Sequence, residues 1–315
     1  MLKPRPLPPG GTLGIAAPAG PVDEASISKA ARFLTQRGYR VKLATHVFEA
    51  HGYLAGTDKD RASDINAMFA DPAVDAIILA RGGYGCARLL DLIDYNVISQ
   101  NPKPLIGYSD ATALQLAILA RCGLVSFYGP VASIDLAGRN APIVFDRMLH
   151  ALQARPGERL FPDTPPSRIG VLSAGQCTGR LVGGCLSVLV SVLASDYFPD
   201  TRGAVLFLED VDEPPYRIDR YLRQLELARV LSHVAGVLLG RFVRCYPRGD
   251  KPSLSLDDVL KDRFAGRPYP VMSGLPFGHI ARKTTVPQGV MCIMDASVAR
   301  IAYGGSPCIT DEWAK

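Results

Sequence analysis

Ser109 stands in the stretch PLIGYSDATALQLAILA (residues 104–120), where a short apolar run breaks at Tyr108-Ser109-Asp110 and a helix-like sequence starts at Ala111. A serine at the tip of a strand-to-helix turn, with a glycine two residues before it and an alanine two after, fits two roles. Ser109 or Asp110 can cap the helix. Alternatively, Ser109 can be a nucleophile held on a tight elbow, as in Gly-x-Ser-x-Gly hydrolases. A serine hydroxyl is a weak nucleophile at neutral pH and needs a base, usually a histidine, oriented by a third group. The chain has five histidines. His150 falls within an amphipathic helical pattern and His233 just before a buried strand, and both read as structural. His46 and His51 bracket a loop after the second strand and stay open as candidates. His279, in SGLPFGHIARKTTVPQG, follows the strand YPVMS (269–273) in a glycine-punctuated loop, where a site residue and a surface residue are both reasonable.

A third group is offered by FLEDVDEPPYRIDRYLRQL (207–225), where Glu209, Asp210, Asp212 and Glu213 follow an apolar strand. Asp212 and Glu213 suit the N-terminus of the helix entered at Pro214-Pro215. Glu209 still belongs to the strand, where an unpaired carboxylate is costly and a histidine N–H would satisfy it. The loop LARGGYG (79–85) adds three glycines that let backbone N–H groups approach a ligand closely. It lacks the Gly-x-x-x-x-Gly-Lys pattern of a phosphate cradle. Beside an elbow serine, the N–H groups of Gly83 and Asp110 suit an oxyanion hole.

The elements that must position these residues alternate through the first half. Strands are predicted at 12–17, 39–44, 74–80, 104–107 and 124–129, with helices at 23–37, 58–70, near 86–92 and from Ala111. Strands separated by helices imply right-handed crossovers and a mostly parallel sheet covered on both faces. Ligands of such sheets sit beyond the carboxyl ends of the strands. Residues 154–176 hold four prolines without sustained periodicity and read as a passage between domains. Beyond it come a helix candidate at 183–195, strands at 204–209 and 234–243, helices at about 215–231 and 255–264, and a terminal β-pair from GVMCIMD and VARIAY.

Composition narrows the class. Hydrophobic residues make up 48% and charged residues 21% of 315 positions, enough for a sizeable core, and no apolar run is long enough to span a bilayer. The N-terminal Thr12–Ala17 patch is too short and too closely flanked by Pro-Gly clusters for a signal peptide. Seven scattered cysteines without a Cys-x-x-Cys pair argue against a disulfide framework and a zinc site, and favour a reducing, cytoplasmic setting. The net charge of +5 is spread without a dense basic run, so nucleic acid is not implied.

The segments GYSDAT (107–112), LEDVDEPPYRIDR (208–220) and GLPFGH (274–279) resemble the LD-carboxypeptidase family, also called muramoyltetrapeptide carboxypeptidases. GTLGIAAPAGPVD (11–23), RGGYGCARLLDLID (81–94) and GRLVGGCLSVLVS (179–191) are similar to further family segments, in the family's order through nearly the whole chain. The resemblance implies an α/β protein: a flavodoxin-like parallel-sheet N-terminal domain (1–153), a linker (154–176) and a smaller mixed α/β C-terminal domain (177–315). It implies a triad of Ser109 as nucleophile, His279 as base and Glu209 as orienting carboxylate, in the cleft between the domains. It further implies a homodimer without cofactor or metal. The substrate would be a murein tetrapeptide recovered into the cytoplasm, cleaved between an L-configured centre, commonly meso-diaminopimelate or lysine, and the terminal D-alanine. Arg81 is expected to clamp the D-alanine carboxylate, which its guanidinium matches in geometry, with Tyr84 as a second substrate contact.

One departure concerns Cys185, where relatives often carry Asn. GGCLS superficially offers a cysteine nucleophile, but the position reads as part of an apolar helical run, which favours a buried inert thiol. Within the resemblance, microcin-C immunity peptidases cleave aminoacyl-nucleotide conjugates with the same triad and tend to stack adenine on a loop aromatic, often tryptophan. The single tryptophan here, Trp313, lies close to the C-terminus, which favours the murein substrate. From another class, a flavodoxin-like scaffold can also carry a non-catalytic ligand-binding module.

Overall fold

The computed structural model describes residues 1–249 and 252–309. In chain order the first half comprises β1 (Thr12–Ala16), α1 (Glu24–Gln36), β2 (Arg40–Leu43), α2 (Asp58–Ala70), β3 (Ala76–Leu79), α3 (Tyr95–Gln100), β4 (Leu105–Gly107), α4 (Ala111–Cys122), β5 (Ser126–Tyr128) and α5 (Ala141–Gln153). The second half comprises β6 (Gly170–Ser173), β7 (Gln176–Cys185), α6 (Leu186–Ser191), β8 (Val205–Val211), α7 (Pro215–Leu227), α8 (Val230–His233), β9 (Gly236–Val243), α9 (Leu256–Phe264), β10 (Val271–Ser273), β11 (Val286–Gln288), β12 (Met291–Asp295) and β13 (Arg300–Tyr303).

Local chemistry starts several of these elements where the residues demand it. Asp23 accepts the Ser26 N–H at 2.8 Å to cap α1, and Thr57 accepts the Asp60 N–H at 3.2 Å to cap α2. Ile65, Met68 and Phe69 then bury one side of α2.

The first sheet runs β11-β5-β4-β3-β1-β2. Its five N-terminal strands are parallel in the order 2-1-3-4-5, the flavodoxin-like winding whose switch point lies between β1 and β3. β11 joins β5 antiparallel from far along the chain. The second sheet, β13-β12-β7-β8-β9-β10-β6, is mixed, with a parallel centre and antiparallel flanks.

Helix α4 explains the apolar run LQLAILA. Ala111–Leu119 are all buried, because α4 lies against β5 of the first sheet and against β7 and α6 of the second unit. A helix with apolar neighbours on every side has no polar face to keep.

Four details differ from the sequence-based expectations. The helix expected over 183–195 is α6 alone, since Leu181–Cys185 pair in parallel with Val205–Glu209 as the end of β7. A short apolar run does not by itself distinguish strand from helix. The helix expected near 86–92 is a 3₁₀ turn at Cys86–Leu89. The helix expected to 231 breaks after Leu227, where Arg229 takes a left-handed conformation, and resumes as α8. The proline-rich passage 154–176 also contributes β6, an edge strand on β10. All seven cysteines are free thiols, and no helix among the described residues is long and apolar enough to cross a membrane.

Candidate active site

The turn between β4 and α4 consists of Tyr108-Ser109-Asp110. Ser109 has φ +67°, the left-handed region that a Cβ disfavours, so the turn holds its serine under backbone strain as an elbow does. The capping reading fails locally, because the Asp110 side chain makes no bond to the helix start. Its buried carboxylate accepts the Cys86 N–H at 2.7 Å instead and ties the elbow to the glycine loop after β3. Burial raises the Asp110 carboxyl above its ordinary range, against the pull of that N–H.

The loop lies directly against the hydroxyl. A methyl built on Gly82 would sit 3.0 Å from Ser109 Oγ, so only glycine lets the backbone pass there. The Gly20 N–H, in the loop after β1, donates to the Gly82 carbonyl at 3.3 Å and holds that approach from the other side. The switch point of the first sheet therefore converges on Ser109.

Glu209 arrives from β8 and is fully buried. Its Oε2 accepts from His279 Nδ1 at 2.8 Å and from the His279 backbone N–H at 3.2 Å. A carboxylate only accepts, so Nδ1 carries the hydrogen and Nε2 presents its lone pair. Gly278, at φ +101°, makes this possible, because a side chain there would run into the Glu209 carboxylate. The second oxygen, Oε1, accepts from Tyr128 Oη at 2.5 Å, and the same hydroxyl accepts the Ser109 N–H at 3.1 Å. A continuous path thus runs from the elbow backbone through Tyr128 and Glu209 to the imidazole. The Tyr108 and His279 rings pack at a steep angle, 4.9 Å between centroids. Ser109 is half-buried, and the His279 side chain retains 16% exposure, so both are partly open to solvent. Among the described residues, Ser109 Oγ and His279 form no hydrogen bond with each other; in free enzymes such links are often long and tighten on substrate binding.

A serine on a strained elbow, a histidine on a buried carboxylate and a glycine loop against the hydroxyl are the parts of an acyl-transfer site. Two family models match the chain, the LD-carboxypeptidase N-terminal domain over residues 13–129 and the LD-carboxypeptidase C-terminal domain over residues 178–294. The chain belongs to the LD-carboxypeptidase family. It is a serine-type carboxypeptidase, by its family and in keeping with the carboxypeptidase names that its relatives carry. A Bacillus subtilis (strain 168) relative named "Probable murein peptide carboxypeptidase" is 38% identical over 301 residues, spanning 94% of this chain and 92% of that protein. Among solved structures, the microcin C7 self-immunity protein MccF superposes with a TM-score of 0.90 at 26% identity, covering 98% of this chain and 100% of the other. The muramoyltetrapeptide carboxypeptidase of Oxalobacter formigenes gives 0.80 at 27% identity, covering 93% and 97%.

Within this LD-carboxypeptidase, the other sequence-predicted residues fall as follows. The Asp110 N–H and the Gly83 N–H engage no partner among the described residues. Arg81 is exposed at the same loop, with Nη1 donating to the Pro21 carbonyl at 3.0 Å. Tyr84 is exposed and packs obliquely on Tyr53 at 5.8 Å. His46 is committed to Asp64 at 2.8 Å, His51 is exposed in its loop, and His233 binds the Arg229 carbonyl at 2.9 Å. His150 lies on α5, 6.4 Å from the Tyr303 ring. Trp313 lies outside the described residues.

Cys185 corrects one expectation. It is the last residue of β7 and precedes α6, so it does sit at a strand-to-helix junction rather than inside a helix. Its thiol is nonetheless buried and donates to Asp210 Oδ1 at 3.4 Å. Burial, and then the Glu209 and Asp210 carboxylates, hold it far above the range in which a thiolate forms. Asp210 itself is buried beside Glu209, accepting the Ser187 and Val211 N–H groups at 2.8 Å, and burial pushes its carboxyl up to about 6.

Tyr128 escaped the sequence reading. It closes a strand as one more buried aromatic, and nothing in SFYG distinguishes a packed ring from one whose hydroxyl joins two site residues.

Proposed function

We propose that this carboxypeptidase hydrolyses the bond to the terminal D-alanine of murein tetrapeptides through Ser109, His279 and Glu209, in the recycling of cell-wall peptides within the cytoplasm. The observation that carries the triad is the fully buried Glu209, which holds His279 Nδ1 at 2.8 Å and reaches the Ser109 backbone through Tyr128. His279 Nε2 takes the Ser109 proton as Oγ attacks the scissile carbonyl, and Glu209 stabilises the imidazolium. The developing oxyanion is received by the N–H groups of Asp110 and Gly83. The imidazolium then protonates the departing D-alanine amine, leaving an acyl-enzyme. A water activated by the same histidine releases the tripeptide and restores Ser109. Arg81, on the loop beside Gly83, is positioned in sequence to meet the D-alanine carboxylate, with Tyr84 next to the same chain.

The substrate assignment draws on the murein names of the Bacillus and Oxalobacter proteins. A second reading has its own support, since MccF gives the higher TM-score. Under it the scissile bond belongs to an aminoacyl-nucleotide conjugate. Mass spectrometry of the products from defined tri-, tetra- and pentapeptides and from such a conjugate separates the two. Release of D-alanine from the tetrapeptide supports the murein reading, and turnover of the conjugate alone contradicts it.

A further inference from the structure

His279 lies on the segment 274–285, which leaves β10 in the second sheet and ends in β11 of the first. That segment is fastened to the first unit at several points beyond the histidine. Arg147 of α5 donates to the Arg282 carbonyl, and Arg282 reaches Asn140 at 3.3 Å. Between these and β11 stands Lys283, only 3% exposed, paired with the buried Asp135 of the turn Ala132–Leu136. Asp135 is fixed in its turn by the Val131 N–H at 2.9 Å.

The ammonium has a second neighbour. Lys283 Nζ lies 3.8 Å from the centre of the Tyr108 ring, over its face. That ring packs at a steep angle against His279, and the residue that follows Tyr108 is Ser109. One cation therefore bears on a ring that packs against the base and belongs to the residue next to the elbow serine. Stability alone does not account for it, because a buried ion pair replaced by apolar side chains of similar volume often costs nothing. An apolar replacement would lose the directional hold of a cation on a ring face.

Resting on the triad reading above, we propose that Lys283 is a positioning residue: held by Asp135, its ammonium fixes Tyr108 against His279 and so sets the separation of Ser109 from its base. Lys283 touches no reacting atom. Its loss leaves substrate binding intact and lowers the rate at which the bound substrate is attacked.

The test uses the full-length protein, measuring kcat and KM for D-alanine release from a murein tetrapeptide alongside the unfolding midpoint. Lys283→Met should lower kcat at least about 10-fold while KM stays within about 3-fold. The double variant Asp135→Asn with Lys283→Met leaves no unpaired buried charge; it should regain much of the wild-type midpoint yet keep the low kcat. Lys283→Arg, which retains a cation for both neighbours, should recover most of the lost kcat. The proposal is overturned if Lys283→Met turns over like wild type, or if kcat in the double variant returns together with stability. Should Lys283→Met fail to fold, the double variant decides by the same criterion. An active wild type with an inactive Ser109→Ala upholds the triad whichever way the Lys283 variants fall, and an active Ser109→Ala faults the triad itself.

Discussion

Replacing Tyr128 by Phe removes one oxygen from the centre of the site and little else. The ring keeps its packing against Phe207 at 5.7 Å and Tyr108 at 6.3 Å, so no cavity opens. Two interactions disappear: the hydroxyl's donation to Glu209 Oε1 at 2.5 Å and its acceptance of the Ser109 N–H at 3.1 Å. A hydrogen bond to a charged group is worth about 1.5–3 kcal/mol net, and a buried N–H left unpaired costs about 1–3 kcal/mol. Because both partners share one hydroxyl, their losses do not simply add, and the fold should weaken by about 2–4 kcal/mol. The catalytic consequence is separate. Glu209 loses the donor that fixes one of its oxygens, and the strained elbow loses the anchor of its backbone. If about half the loss is felt only in the transition state, kcat falls about 5–30-fold, since 1.4 kcal/mol is a factor of ten. Denaturant unfolding and initial rates of D-alanine release, measured on the same preparation at saturating substrate, check both numbers. A folded Tyr128→Phe protein with wild-type kcat would refute the reasoning by showing that the bridge serves stability alone.

Three further outcomes follow from the geometry. Gly82→Ala places a methyl 2.9 Å from Ser109 Cβ and 3.0 Å from its Oγ, so activity should drop more than about 10-fold and the melting temperature should fall as the elbow shifts; full activity would contradict the contact. Asp210, raised to about 6 by burial against 3.8 when exposed, binds its proton more tightly folded than unfolded. Its contribution is therefore fully present below about pH 4 and is lost as the pH rises through about 6, a change of about 3 kcal/mol relative to Asp210→Asn. Unfolding curves of both proteins from pH 4 to pH 7 test this, and a constant difference would refute it. Cys185→Ala should retain turnover within about 3-fold, and the native thiol should resist alkylating reagents until the chain unfolds; loss of activity on alkylating the folded protein would make Cys185 part of the chemistry.

Much of this site was legible in the residues because its chemistry is local. Ser109 breaks an apolar run at a turn, His279 sits among glycines after a strand, and Glu209 is a carboxylate where a strand should be apolar. The parallel first sheet was equally legible, since crossover helices such as α1 and α2 announce themselves by their caps and periodicity. What escaped depends on pairing between distant segments. Leu181–Cys185 form a strand because β8 is beside them, not because their pattern differs from a helix. β11 is three residues long and gains its place only from β5. Tyr128, Tyr108 and Lys283 are ordinary core or surface types until the fold brings one hydroxyl onto Glu209, one ring against the imidazole and one ammonium over that ring.

Ser109→Ala offers the most direct measurement, with D-alanine release from a defined murein tetrapeptide followed by mass spectrometry against wild type. The account predicts a protein that folds and melts like wild type while turnover falls by about 10⁴–10⁶-fold. Release of D-alanine by the variant at a rate near that of wild type would contradict it.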